Sequence, residues 1–228
     1  MTQRKRVLLV LTSHDDLAGT GNRTGTWLEE LAASYYPLVE AGFDVTLASV
    51  KGGEAPLDPA SFDEPWITDT GRRFLADEAA MAKVKSTPAL KDVAATAFDA
   101  VYMIGGAGTA WDFPNNKPLG DILTATASRG AVVAGVCHGV LGFVNGANGK
   151  AMGAGRKLTC ISDQEDNMAG YDKLVPMLPE STFKKLGATV TLAAEPFGAH
   201  VVVDGNMITG QNPASAPGVA KAIVEKLA

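Results

Sequence analysis

At 228 residues the chain is long enough to bury one sizeable core, and 46% hydrophobic with 20% charged residues matches globular proteins rather than disordered or fibrous ones. Its formal net charge of -5, with 20 basic residues scattered along the sequence, offers no cationic face to a run of phosphates and so excludes nucleic acid as an expected partner. With only Cys137 and Cys160, a disulfide scaffold is not expected, and two free thiols indicate a reducing, cytoplasmic location.

The opening Met1 to Arg6 is basic, but the apolar run after it, Val7 to Leu11, is too short for a signal-peptide core or a membrane span. No membrane association is expected. Val7-Leu8-Leu9-Val10-Leu11 instead predicts a first strand buried on both faces. From Trp27 to Ala41 apolar residues recur at helical spacing, and Gly42 stands where a helix C-terminus takes a left-handed residue. Phe43 to Ser49 predicts a second strand. Lys51 to Asp63 is a Gly- and Pro-rich loop, and 69–90 predicts one helix ended by Pro88.

Ala100 to Ile104 predicts a strand that breaks into Gly105-Gly106-Ala107-Gly108. A helix over 116–128 and a buried strand over 131–136 follow, with another helix after Cys137. Farther on, Thr189 to Ala193, Val201 to Val203 and Met207 to Thr209 predict edge strands, the last two joined as a hairpin through Asp204-Gly205-Asn206. Gly146 to Gly155 reads as a surface loop, and Pro217 to Leu227 closes the chain as an amphipathic helix. This alternation predicts an α/β fold, a doubly wound, mostly parallel sheet sandwiched by helices in flavodoxin-like manner, in a single domain over 1–228.

The chemistry concentrates at Gly135-Val136-Cys137-His138-Gly139, which has the layout of a nucleophile elbow with sulfur in place of a serine oxygen. A nucleophile on a strained strand-to-helix turn needs small residues two positions away on either side, where a Cβ would strike the neighbouring strand or helix. The following helix is expected to aim its amides at the sulfur and lower its pKa. Cys160 has no such frame and reads as packing.

The chain has three histidines, His14, His138 and His200, and His138 is the one adjacent to the thiol. An imidazole that shuttles protons needs an acidic partner to fix its tautomer. Glu165 and Asp166 are both candidates, and composition alone would leave them in a solvated loop. The loop at Gly105, Gly106 and Ala107 can present backbone amides to a developing oxyanion. It lacks the spacing of dinucleotide and P-loop motifs, so no nucleotide cofactor is expected. The histidines and cysteines also lack metal-ligand spacing. Taken by itself, Glu30 is a solvent-facing helix charge.

Five ordered motifs together resemble the ThiJ/PfpI superfamily, whose fold is similar to the class I glutamine amidotransferase domain, over nearly the whole chain. They are Thr24-Gly25-Thr26-Trp27-Leu28-Glu29-Glu30, Ala48 to Gly53 with Pro56-Leu57-Asp58-Pro59, Gly105 to Pro114, Val136-Cys137-His138-Gly139, and Thr209 to Ser215. The closest resemblance is to the small heat-shock chaperone and glyoxalase III branch.

The resemblance implies Cys137 as nucleophile, His138 as its partner, Asp166 as the acid orienting the imidazole, and Glu30 as a buried carboxyl pointing at the sulfur. It further implies an oxyanion site at the Gly106 and His138 amides, a pocket around Ala107 and Trp111, and a homodimer. The chain departs from the branch by carrying Ala107 where a histidine is usual, and Ala33-Ser34 where a His-Pro pair is usual. Both changes are expected to remove polar groups from the pocket rim.

The function so implied is a cofactor-independent, cysteine-dependent enzyme acting on small reactive carbonyls, converting methylglyoxal to lactate or acting as a deglycase. The alternatives are a stress-response chaperone or cysteine redox sensor, and hydrolysis or hydration at a carbon–nitrogen bond by an amidase- or isonitrile-hydratase-like reaction.

Overall fold

The computed structural model describes residues 4–228; Met1-Thr2-Gln3, the first half of the basic opening, lies outside the described residues. In chain order the elements are β1 (Arg6–Leu11), α1 (Leu28–Glu40), β2 (Asp44–Ser49), α2 (Asp69–Ala76), α3 (Glu78–Lys85), β3 (Ala100–Met103), α4 (Thr109–Asp112), α5 (Lys117–Ser128) and β4 (Val132–Val136). They continue with β5 (Gly146–Ala147), β6 (Lys150–Ala151), β7 (Lys157–Leu158), α6 (Asp163–Ala169), α7 (Pro179–Lys185), β8 (Thr189–Val190), β9 (Val201–Asp204), β10 (Met207–Gly210) and α8 (Ala216–Leu227).

Six strands form the central sheet in the order β2-β1-β3-β4-β10-β9, parallel throughout except for the β9–β10 hairpin. Successive side chains of a strand point to opposite faces, so β1 feeds both layers of core. Val7, Leu9 and Leu11 join Leu31 of α1 and Val219 of α8 in one cluster, while Leu8 and Val10 join Leu119 and Ile122 of α5 in the other. That two-sided burial is why the run is continuously apolar.

After β1 the chain adds β2 on one side and β3 on the other, so the sheet has a switch point between β1 and β3. Crevices open beyond the carboxyl ends of strands at such points. The loop after β3 and the turn after β4 both fall at that edge.

Several expectations are corrected. The helix expected over 69–90 is two, α2 and α3. The break is Asp77, whose backbone is extended at φ -84° and ψ 97° and whose carboxylate accepts from the Ala80 amide to cap α3. The segment after the elbow is a 3-10 helix, Cys137–Val144, rather than an α-helix.

Strand β10 is an interior strand, hydrogen-bonded to β4 on one side and β9 on the other, so of that hairpin only β9 lies at an edge of the central sheet. Strand β8 leaves the main sheet to pair with β7. The stretch 146–155 contains a small β5–β6 ribbon. Glu165 and Asp166 lie in α6, whose start is fixed by a Ser162–Glu165 capping box and whose end is the left-handed Gly170. Among the described residues, no helix is long and apolar enough to cross a membrane.

Candidate active site

Cys137 has φ 56°, a left-handed backbone that non-glycine residues adopt at a cost. The elbow is held by what surrounds it. A Cβ on Gly139 would lie 2.6 Å from the Met103 carbonyl oxygen, so the turn packs directly on the end of β3. At Gly135 the contact would be 3.2 Å from Val140 Cα, a milder restriction. Cys137 sits on the wall of a cavity of about 330 Å³, and the residue is 5% exposed.

The elbow brings the imidazole back across the turn, with Cys137 Sγ 3.5 Å from His138 Nδ1. On the ring's far side His138 Nε2 is 3.0 Å from Asp166 Oδ1. The alignment of that pair falls short of a good hydrogen bond, and among the described residues neither Asp166 oxygen has another donor. The contact is therefore charge pairing. A fully buried carboxylate with no other partner strongly favours an imidazolium beside it. Burial alone would lower the His138 pKa, but the charge of Asp166, assisted by Glu30 and Asp58, outweighs it and raises the pKa.

Glu30 reaches the site from the first turn of α1. The helix begins there because the Trp27 amide donates to the Gly105 carbonyl (3.0 Å) and the Leu28 amide to Ser61 Oγ (3.2 Å), which satisfies amides a helix start leaves open. Far from facing solvent, Glu30 is fully buried, because α1 lays its first turn over the end of β3. Its Oε2 accepts from the Gly105 amide at 2.9 Å, whereas Oε1 has no partner. Burial raises its pKa from 4.5 to about 7.

A Cβ on Gly105 would meet Glu30 Oε2 at 2.5 Å and Cys137 Cβ at 2.9 Å. Glycine at 105 thus lets the carboxyl and the thiol be neighbours.

The expected lowering of the thiol pKa is not met. Burial pushes the Cys137 thiol up, and the charges of Glu30 and Asp166 push it further; the His138 amide works the other way and does not prevail. The following segment, a short 3-10 helix in place of an α-helix, does not offset them. The sulfur is thus pushed toward its protonated form, and the Glu30 carboxyl, raised to about 7, lies beside it.

Gly106 (φ 113°) lines the cavity beside Ala107, and a Cβ there would strike the Gly25 carbonyl oxygen at 2.2 Å. Trp111 does not line it. Its ring stacks on His14 at 4.6 Å, turned away by α4, so the expected place for it in the pocket is corrected. Ala33 and Ser34 lie inside α1 and also miss the cavity, so of the two departures only Ala107 touches it. His200 Nε2 lies 2.9 Å from Thr191 Oγ1, also outside the cavity.

Glu165 is the hub of a buried network rather than the imidazole's partner. It accepts from the Ser162 amide and hydroxyl, the Gln211 amide group, the Phe197 backbone and Asn212 Nδ2. Cys160 is fully buried in the core cluster that holds α5 and α7. Among the described residues, no group of three or more His, Cys, Asp or Glu side chains is arranged to hold a metal ion.

The large side chains on the other walls were not read as part of the site in the sequence: Trp27, Trp66, Met168, Tyr171 and Phe197. They come from four separate segments, and no local pattern joins them. The one available signal was Ser162-x-x-Glu165, a capping box that marks α6 as a helix and carries Asp166 and Met168 with it.

Fold and site together define an α/β protein with a cysteine nucleophile elbow at the carboxyl edge of a parallel sheet. The chain belongs to the DJ-1/PfpI family, whose model matches residues 24–226. It is 30% identical to the glutathione-independent glyoxalase HSP31 of Saccharomyces cerevisiae, over 98% of both chains. It is 27% identical to glyoxalase 3 of Candida albicans, over 96% of this chain and 97% of that one.

Among solved structures it is similar to glyoxalase III of Candida albicans (TM-score 0.89, 26% identity, 97% of this chain and 96% of that one). It is also similar to the Rapid Encystment Protein 24 KDa of Francisella tularensis (TM-score 0.92, 34% identity, 98% and 99% covered).

Proposed function

We propose that this protein is a glutathione-independent glyoxalase that converts methylglyoxal and water to lactate, with Cys137 as nucleophile. The reading is carried by one juxtaposition: a strained, cavity-lining thiol with an imidazole 3.5 Å away on one side and a buried carboxyl on the other. The names of its relatives support the same reaction.

In this mechanism sulfur bonds to the aldehyde carbon while the Glu30 carboxylate takes the thiol proton and the His138 imidazolium protonates the aldehyde oxygen. His138, now neutral, takes the hydrogen of that same carbon as a proton and leaves an enediolate. The proton held on Glu30 returns to it, giving the thioester of a 2-hydroxy acid. Aldehyde carbon is oxidised and ketone carbon reduced, with no net electron change. Water then cleaves the thioester, releasing lactate and the thiol. Asp166 keeps the imidazole charged and oriented, and the His138 and Gly106 amides are the candidates for the oxyanion site.

One domain over 1–228, a cytosolic location and a homodimer belong to the same proposal. The test is lactate formation from methylglyoxal with no glutathione present, lost in Cys137→Ala. Wild-type protein that leaves methylglyoxal unchanged overturns the reading.

A further inference from the structure

The cavity is far larger than the substrate just assigned to it. Methylglyoxal has the bulk of roughly four waters at about 30 Å³ each, about a third of the 330 Å³ available. A small polar substrate would leave the remainder unfilled.

What surrounds the excess space is aromatic. Trp27 meets Trp66 edge-to-face with centroids 5.9 Å apart at 78°, and Trp66 meets Phe197 at 5.6 Å and 60°, so the three rings form one continuous wall. Tyr171 stands at 90° to the His138 ring, 6.4 Å away, and Ile161 and Met168 add apolar surface to the lining. Rings in this arrangement expose both faces and edges, and a further ring can pack on them in the same offset or edge-to-face manner.

Charge narrows the choice further. The lining contains no lysine or arginine, and its ionisable groups besides the thiol and the Tyr171 phenol are His138 and two carboxyls, Glu30 and Asp166. An anionic substrate would find no cation beyond the imidazolium already paired with Asp166. The unfilled part of the site suits a neutral, flat, apolar group attached to the reacting carbonyls.

We infer that the cavity selects α-oxoaldehydes bearing an aryl substituent, such as phenylglyoxal, over methylglyoxal, with Trp66 and Phe197 as the residues that set the preference. The inference rests on the glyoxalase reading above and names its substrate class. The ring packs against Trp66 and Phe197 while the aldehyde carbon meets Cys137; the chemistry is the same internal transfer, giving mandelate in place of lactate.

The test compares initial kcat/KM for phenylglyoxal and methylglyoxal, and measures binding of two neutral ketols without the aldehyde, 2-hydroxyacetophenone and hydroxyacetone, by tryptophan fluorescence quenching. The expected result is a phenyl-to-methyl ratio of at least about tenfold in both measurements, falling toward unity in Trp66→Ala and in Phe197→Ala and largely kept in Trp66→Phe. Trp66 is 39% exposed at the cavity mouth, so its truncation leaves the core clusters whole.

If both aldehydes react and the ratio is unity or less, the inference is overturned while the glyoxalase reading stands. A high ratio that survives both alanine variants overturns the assignment to Trp66 and Phe197. Should neither aldehyde react while the aryl ketol still binds tenfold more tightly, the reaction is wrong and the aryl site is upheld. If neither reacts and neither ketol is preferred, both fall.

Discussion

Replacing Glu30 with glutamine should make the protein more stable at alkaline pH and much less active. The carboxyl is fully buried and its pKa stands at about 7 against an ordinary 4.5. At about 1.4 kcal/mol for each tenfold change in proton affinity, the buried site favours the protonated carboxyl by on the order of 3 kcal/mol.

The sign follows from proton linkage. Between pH 4.5 and 7 the folded state binds the proton that the unfolded state has released, so stability falls as pH rises through that window, and by pH 8 the contribution is gone. The amide of Glu30→Gln has no proton to lose. Its oxygen can still accept from the Gly105 amide, while its unpaired N–H group costs about 1 kcal/mol at all pH values and so leaves the slope alone.

Urea denaturation of both proteins at pH 5 and pH 8.5 should therefore show the variant gaining about 2 to 3 kcal/mol on the wild type between the two conditions. The corresponding relative shift in Tm is roughly 5 to 10 °C for a chain of this size. Turnover of methylglyoxal should fall by about 10² to 10⁴, the range for a lost general base. A stability difference that stays flat between pH 5 and 8.5 would refute the buried, near-neutral carboxyl and with it the proton path assigned to Glu30.

Three further outcomes follow from the same geometry. Asp166→Asn removes the charge that keeps His138 protonated, so kcat/KM should drop by about 10² or more, and the His138 resonance in NMR titration should shift to lower pKa; an unchanged imidazole pKa counts against the pairing. Gly139→Ala forces a methyl to 2.6 Å from the Met103 carbonyl oxygen and should cost about 3 kcal/mol or more in urea melts, whereas Gly149→Ala, with open space but a left-handed backbone, should cost about 1 kcal/mol. Glu165→Leu strands five donors around the α6 start and should destabilise by about 3 to 5 kcal/mol, so a near-neutral melt would deny its role as the tie between α6, Phe197 and Asn212.

What the sequence determined by itself is whatever depends on neighbours along the chain. The both-faces burial of Val7 to Leu11, the strand running into Gly105-Gly106, and the elbow around Cys137 are each written in fewer than a dozen consecutive residues, because backbone conformation and strand burial are short-range properties. The family resemblance carried His138 and Glu30 within its motifs and Asp166 outside them, but only as a likeness.

Tertiary structure decided everything that turns on distance and dielectric. Glu30 reads as a surface charge in its own helix and becomes a buried carboxyl of raised pKa because the chain after β3 packs against it. The same burial reverses the expected direction of the thiol's pKa, since desolvation and the charges of Glu30 and Asp166 outweigh the His138 amide. Trp111, though adjacent to the glycine loop, turns away to His14, while Trp66 and Phe197, 131 positions apart, form one wall. No local rule encodes such an encounter; it exists only once the chain has packed.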